Sequence, residues 1–199
     1  MRLSSDYYLQ PDIVAIAEDL LGKILCTNID NKCCAGIIVE TEAYAGTTDK
    51  ASHAFGNRRT NRTEIMFREG GIAYVYLCYG IHHLFNVVTN SDGIPHAALI
   101  RAIEPIEGID HMLARRGLTK ATYSLGNGPG SLSKSMGIHS GLSGISLQEN
   151  TIWIEDRGII VPPDQIIASP RVGVAYAKED AMLPYRFRIK RNPWTSPAR

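Results

Sequence analysis

The chain has 199 residues, of which 44% are hydrophobic and 21% charged, with a formal net charge of +1. That length suits one domain, 1–199, able to bury about 70% of its unfolded surface without metals or disulfides, and the composition excludes a disordered chain. No apolar run approaches the ~20 residues of a membrane span, and Met1-Arg2-Leu3-Ser4-Ser5-Asp6 lacks the apolar centre of a signal peptide.

Pro11–Gly22 reads as a helix, with proline in the first turn and glycine at its end. Lys23–Asn28 and Cys34–Tyr44 follow as strands about the turn Asn28-Ile29-Asp30-Asn31. Gly46–Arg62 is polar and without period, a long loop of the kind that carries function inside compact domains. Ile72–Tyr79 is an aromatic, β-branched strand broken at Tyr79-Gly80. Leu84–Asn90 and Ala97–Glu104 are strands about the turn Asn90-Ser91-Asp92-Gly93, and Gly108–Arg116 and Gly130–Met136 are helices. Thr151–Glu155, Arg171–Ala175 and Arg186–Lys190 read as late strands. Short strands with interspersed helices and no regular βαβ alternation predict the α+β class: a single domain with a curved, mainly antiparallel sheet flanked by helices. Cys26, Cys33, Cys34 and Cys78 form no C-x-x-C pair and have no histidines at zinc spacing, so they read as reduced, mostly buried thiols of a cytosolic protein.

The end of the second strand, Gly36-Ile37-Ile38-Val39-Glu40-Thr41-Glu42-Ala43-Tyr44, is the most informative segment. Strand alternation sends Glu40, Glu42 and Tyr44 to one face and Val39, Thr41 and Ala43 to the other. An unpaired buried carboxylate is costly, so this face is either solvated or the wall of a site where an acid or base works beside a phenol. In Tyr74–Gly80, Tyr74 and Tyr76 share a face, as core tyrosines or as site walls. Tyr79 falls out of that phase beside a glycine and projects from the turn. His53 lies in the long loop, followed by Arg58, Arg59, Arg62 and Arg68. A second basic stretch, Ala181–Arg199, holds Arg186, Arg188, Lys190, Arg191 and Arg199 and no acid. Basic patches within a near-neutral total are compatible with a polyanion on one face, although interspersed charge also serves solubility alone. Aromatic rings among basic groups suit a nucleic acid with an unstacked base.

These segments share an order with a known family. The matching stretches are IVETEAY (Ile38–Tyr44), the loop through His53, Met66-Phe67, YVYLCYG (Tyr74–Gly80), Asn86 and LIRAIEP (Leu99–Pro105). They continue with GPGSL (Gly128–Leu132), RVGV (Arg171–Val174) and RFRIKRNPW (Arg186–Trp194). Over nearly its whole length the chain thus resembles the alkyladenine type of 3-methyladenine DNA glycosylase. The resemblance implies a monofunctional hydrolase of base-excision repair that flips alkylated or deaminated purines out of duplex DNA and leaves an abasic site. Its substrate range would include 3-methyladenine, 7-methylguanine, hypoxanthine and ethenoadenine.

By the same resemblance, Glu42 activates the water that attacks C1′ of the deoxyribose, and Arg101 orients that water and the carboxylate. Tyr44 and Tyr76 sandwich the extruded base, His53 completes the wall and hydrogen-bonds, and Asn86 on the floor disfavours the amino group of normal guanine. Tyr79 matches the ring that wedges into the vacated stack, offsetting an unstacking cost of a few kcal/mol. Arg58, Arg62 and Lys190 are candidate phosphate contacts. So is Lys134, three residues beyond Ser131, a position where members often carry a basic side chain. His82-His83 follows the wedge, where members vary. No cofactor and no metal is implied. The partner is double-stranded DNA containing damaged purines, without a membrane; the expected state is a monomer in the cytoplasm, nucleoid-associated in a bacterium.

Three other readings fit parts of the sequence. A helix-hairpin-helix glycosylase needs a hairpin glycine motif followed by a catalytic aspartate, and Gly126-Asn127-Gly128-Pro129-Gly130 lacks that aspartate. A metallohydrolase could draw on His53, His82, His83 and His96 near Asp49 and Asp92, but their spacing matches no standard ligand set. A non-catalytic binder of damaged nucleic acid would use the wedge and the basic loops and leave Glu42 without a task.

Overall fold

A computed structural model describes residues 1–196. After a short helix α1 (Ser5–Tyr8), helix α2 runs over Ile13–Asp19, shorter than the sequence predicts. Asp12 sets its start: Oδ1 accepts from the N–H groups of Val14 and Ala15 at 2.9 and 3.0 Å, which places Pro11 outside the helix. Ile13, Ile16 and Ala17 form its buried face, and Gly22, at φ 86°, takes the chain into the sheet.

Strands β1 (Ile24–Ile29) and β2 (Lys32–Tyr44) form a hairpin, with Asp30 and Asn31 both at positive φ in its tip, the geometry that matches strand twist. Strands β3 (Ala73–Cys78), β4 (His82–Thr89) and β5 (His96–Glu107) follow, then helices α3 (Ile109–Arg116) and α4 (Pro129–Met136). Strands β6 (Ile152–Glu155), β7 (Ile166–Ser169) and β8 (Arg186–Ile189) complete the sheet. Its order is β3-β4-β5-β2-β1-β6, with β8 paired to the end of β2 and β7 to β8, every pairing antiparallel. The sheet curls into a half-barrel in a single α+β domain, as expected.

The two faces of this sheet do different things. Ala43, Val75, Phe85, Val87, Ala98 and Ile100 join the main core, on which α2 and α4 pack. The opposite face carries a cross-strand row of directly paired residues: Tyr74, Asn86, Leu99, Glu42 and Arg186, one from each of β3, β4, β5, β2 and β8. Alternation therefore delivers polar and aromatic side chains from four separate strands, β3, β4, β2 and β8, to one line, with Leu99 of β5 among them.

Several expectations are corrected. Arg171–Ala175 is not a strand: Gly173 sits at φ 75° and Arg171 is buried in an ion pair, so this segment is a loop, and the late strand is β7 instead. The loop Gly46–Arg62 is folded into short 3-10 turns at Gly46–Thr48 and Phe55–Asn57. All four thiols are free, with Cys26 and Cys34 buried but Cys33 exposed. In the basic carboxy-terminal stretch, Arg186 is buried against Glu40 and is therefore unavailable to a polyanion; Arg199 lies outside the described residues.

Candidate active site

Two compensating bulges build the centre of the site. Ile38 pairs with Ile103 and Glu40 with Ala102, so Val39 is extra on β2; Thr41 then pairs with Ile100, which leaves Arg101 extra on β5. Bulges re-aim side chains without ending the ladder. Here they bring Arg101 between the two acids of β2: its Nε donates to Glu40 Oε1 at 2.8 Å and its Nη1 lies 3.3 Å from Glu42 Oε2. Neither carboxylate is solvated, since both are 0% exposed.

Their surroundings give the two acids different tasks. Glu40 Oε1 also accepts from Arg186 Nε at 2.7 Å and Ser196 Oγ at 2.8 Å, and Oε2 accepts from the Ser196 N–H at 2.6 Å. Burial alone raises its pKa, but Arg101 and Arg186 outweigh burial and hold the carboxyl below its ordinary range. Glu40 is thus a fixed anion that anchors Arg101. Glu42 has lighter restraint: Oε1 accepts from the Val172 N–H at 2.8 Å, and Oε2 accepts from the Tyr44 hydroxyl at 2.8 Å. Burial, then the Glu42 charge, pushes the Tyr44 phenol well above its usual pKa, keeping it a donor.

Tyr44 is itself held from behind. Arg171 Cζ stands 4.8 Å over its ring, while the guanidinium donates to the Ala43 carbonyl at 2.8 Å, to Asp49 Oδ1 at 2.8 Å and to the Asp180 carbonyl at 3.1 Å. Asp49 also accepts from the N–H groups of Ala45 and Ala51 at 3.0 and 2.9 Å. One buried ion pair thus ties the start of the long loop to the segment that supplies the Val172 amide.

In front of Tyr44 lies a small cavity of about 40 Å³, well below the ~300 Å³ at which small-molecule sites begin. It is lined by Tyr44, His53, Tyr74, Tyr76, Asn86 and Tyr176, with Ala51, Met66 and Ala97. Tyr74 and Tyr76 stack with ring centroids 5.5 Å apart, and His53 meets Tyr76 edge-on at 4.6 Å. His53 Nδ1 is 2.8 Å from the Tyr74 hydroxyl. Burial, then the charges of Arg62 and Arg58, pull the imidazole pKa down to about 4, so His53 is neutral at pH 7. On the floor, Asn86 Nδ2 donates to the Tyr74 carbonyl at 3.1 Å, which fixes the amide.

Beyond the mouth, the β3–β4 turn presents Tyr79 at 91% exposure. Ile81 N–H closes this turn on the Cys78 carbonyl at 3.1 Å, with Tyr79 at φ 49° and Gly80 at φ 74°. A bulky residue in that left-handed region is strained by about 1–2 kcal/mol. Leu77 and Ile81 are also exposed, giving the tip an apolar surface. Arg58 and Arg62 are exposed near the mouth, with Arg62 Cζ 6.0 Å over the Tyr76 ring. Lys134 is exposed and shares a groove with Ile81, His82 and His83. Lys190 lies apart: β8 runs antiparallel to β2 with Arg186 opposite Glu42, so Lys190 is about 13 Å further along at ~3.3 Å per residue.

The structure therefore brings Glu42, Arg101, Tyr44, His53, Tyr76 and Asn86 together with Tyr79 at the rim, and leaves Lys190 distant. Sequence reasoning missed Glu40 as a scaffold, and with it Arg186, Ser196, Asp49 and Arg171, whose roles rest on contacts between distant segments. It also missed Tyr176, for which only a tyrosine in a Gly-containing loop was visible. Among the described residues no group of three or more His, Cys, Asp or Glu side chains could hold a metal ion. No helix among them is long and apolar enough to cross a membrane.

Comparison with known proteins covers nearly the whole chain. Residues 7–193 match the family model described as Methylpurine-DNA glycosylase (MPG). A protein of Bacillus mycoides (strain KBAB4) named "Putative 3-methyladenine DNA glycosylase" is 44% identical over 204 residues, covering 98% of this chain and 100% of the relative. Proteins of the same name from Bacillus cereus (strain G9842) and Bacillus cytotoxicus are 44% and 45% identical over 208 residues, covering 98% of this chain and 99% and 100% of the relatives. The chain belongs to the methylpurine-DNA glycosylase family, whose members are hydrolases that act on N-glycosyl bonds of DNA.

Proposed function

We propose that this chain is a monofunctional 3-methyladenine DNA glycosylase, a single catalytic domain acting as a monomer. It extrudes alkylated or deaminated purines from duplex DNA and hydrolyses the bond between base and deoxyribose. The observation that carries this reading is the buried Glu42 carboxylate, held by the Val172 amide, by Arg101 and by the hydroxyl of Tyr44, whose side chain lines the aromatic slot.

In the proposed reaction the extruded base lies between Tyr44 and the His53–Tyr76 wall while Tyr79 fills the gap in the stack. A water held by Glu42 attacks C1′ as the C1′–N bond breaks; the bonding electrons leave with the base, and the water proton passes to the carboxylate. An N-alkylated purine carries a positive charge beforehand and departs neutral, so the second carboxylic acid of ordinary glycosidases is dispensable. Glu40 supports this economy, because Arg101, Arg186 and Ser196 hold it as an anion. Arg171 and Arg62 already lie over the rings of Tyr44 and Tyr76, which weakens cation–π selection of charged bases. Preference for them then arises chiefly in the bond-breaking step. With no lysine lining the slot, the product is an abasic site without strand cleavage.

The test is an excision panel on duplex oligonucleotides bearing 3-methyladenine, 7-methylguanine, hypoxanthine or ethenoadenine. Wild type releases base from at least one of them, and Glu42→Gln binds the same duplex but releases base at least about 100-fold more slowly, the scale of a general base. Equal release by both proteins refutes the assignment.

A further inference from the structure

Resting on that reading of the slot, the structure assigns Tyr176 a further role that the wedge and the base-stacking rings leave unfilled: we infer that its ring is the platform for the deoxyribose of the extruded nucleotide. Six of the cavity's lining side chains sit deep: Ala51, Met66, Tyr74, Asn86 and Ala97 are at most 4% exposed, and His53 is bonded inward to Tyr74. Tyr176 lines the same space yet is 63% exposed, which puts its ring at the mouth. A purine filling the slot carries its sugar at that mouth, because the base enters ring-first and the sugar remains attached to the backbone outside.

The ring is ordered before any ligand arrives. Its hydroxyl donates to the Ala51 carbonyl at 3.0 Å, while the flanking residues Val174 and Ala177 are buried against Ala51 and Tyr44. Tyr176 thus bridges the loop that carries His53 and the segment whose Val172 amide holds Glu42. Its hydroxyl is already engaged, leaving an apolar ring face. That face suits the C–H surface of a deoxyribose better than a phosphate or a base edge. A flat wall there fixes the height of C1′ above the Glu42 carboxylate, and positioning at this level is worth about 10- to 100-fold in rate.

The experiment compares wild type, Tyr176→Ala, Tyr176→Phe and Glu42→Gln on one duplex carrying ethenoadenine. It reads single-turnover base release, equilibrium flipping by lesion fluorescence, and thermal melting. The platform role requires Tyr176→Ala to slow release about 10- to 100-fold with flipping amplitude and melting temperature close to wild type, and Tyr176→Phe, which keeps the ring, to stay within about threefold. The inference is overturned if Tyr176→Ala releases base at the wild-type rate, or if Tyr176→Phe is as slow as Tyr176→Ala, which would make the Ala51 tie the operative contact. It is equally overturned if any slowing tracks a matching loss of flipping or melting temperature. Glu42→Gln separates the two levels: full release by that variant sinks the catalytic reading itself, whereas its failure to release beside an unimpaired Tyr176→Ala sinks the platform alone.

Discussion

Replacing Arg171 by Met probes the support beneath the site. Arg171 is 5% and Asp49 3% exposed, so the substitution strands a carboxylate in the interior. Breaking a buried pair from one side costs about 3–5 kcal/mol. Asp49 keeps the Ala45 and Ala51 amides as donors, which favours the lower end, about 3 kcal/mol. At about 2–4 °C per kcal/mol for a chain of this size, melting should fall by roughly 6–12 °C. Urea unfolding should show the same loss with an unchanged m-value. Activity should fall further than stability explains. The loop loses its hold on the Val172 amide and on the back of Tyr44, so single-turnover excision at 15 °C, where the variant is folded, should slow about 10- to 100-fold. The double variant Asp49→Asn, Arg171→Met should recover at least about 1 kcal/mol relative to additivity, since the two side chains are coupled. A stability loss under about 1 kcal/mol, together with unimpaired excision, would refute this account of the ion pair.

Other outcomes follow from the same geometry. Tyr79→Gly removes the proposed wedge and relieves a left-handed residue at φ 49°, so melting should not drop while the fluorescence signal of a flipped lesion falls at least about tenfold; an undiminished signal removes Tyr79 from the flipping step. The imidazole of His53, held near a pKa of about 4 by burial and by Arg62 and Arg58, should remain neutral by NMR down to pH 5. Its contribution to stability is complete above 6.5, its ordinary value, and is lost as pH falls from there to about 4; a titration midpoint near 6.5 contradicts this. Arg62→Ala should lower the magnitude of the log–log salt slope of DNA binding by about 0.9, whereas Lys190→Ala, placed away from the mouth, should change it less. Equal changes would show that the DNA path reaches along β8.

The parts of the fold visible in the sequence are those written in local alternation. The strand predicted at Cys34–Tyr44 runs over Lys32–Tyr44, and that at Ile72–Tyr79 over Ala73–Cys78, because β-branched and aromatic residues at period two announce a paired strand. Tyr79-Gly80 announces its turn for the same local reason. Arg171–Ala175 deceived because Arg-Val-Gly-Val-Ala has a strand's alternation; Asp49, more than a hundred residues earlier, captures the arginine and holds the segment as a loop. The pair of acids on β2 could be placed on one face, but nothing near them distinguished a solvated face from a buried one. That distinction is made by Arg101, Arg186 and Ser196, which arrive from other strands and from the end of the described chain. Pocket residues carried on strands could be found from their own segment, whereas the residues that hold them could not.

Glu40 receives the backbone amide and the hydroxyl of Ser196, so an early strand and one of the last described residues complete each other. During synthesis on the ribosome, the carboxylate at position 40 emerges long before this partner and must wait, without donors on that side, until residue 196 has been made. A product that stops short of residue 196 therefore carries Tyr79 and the slot residues but lacks the Ser196 contacts to Glu40, the anion that anchors Arg101.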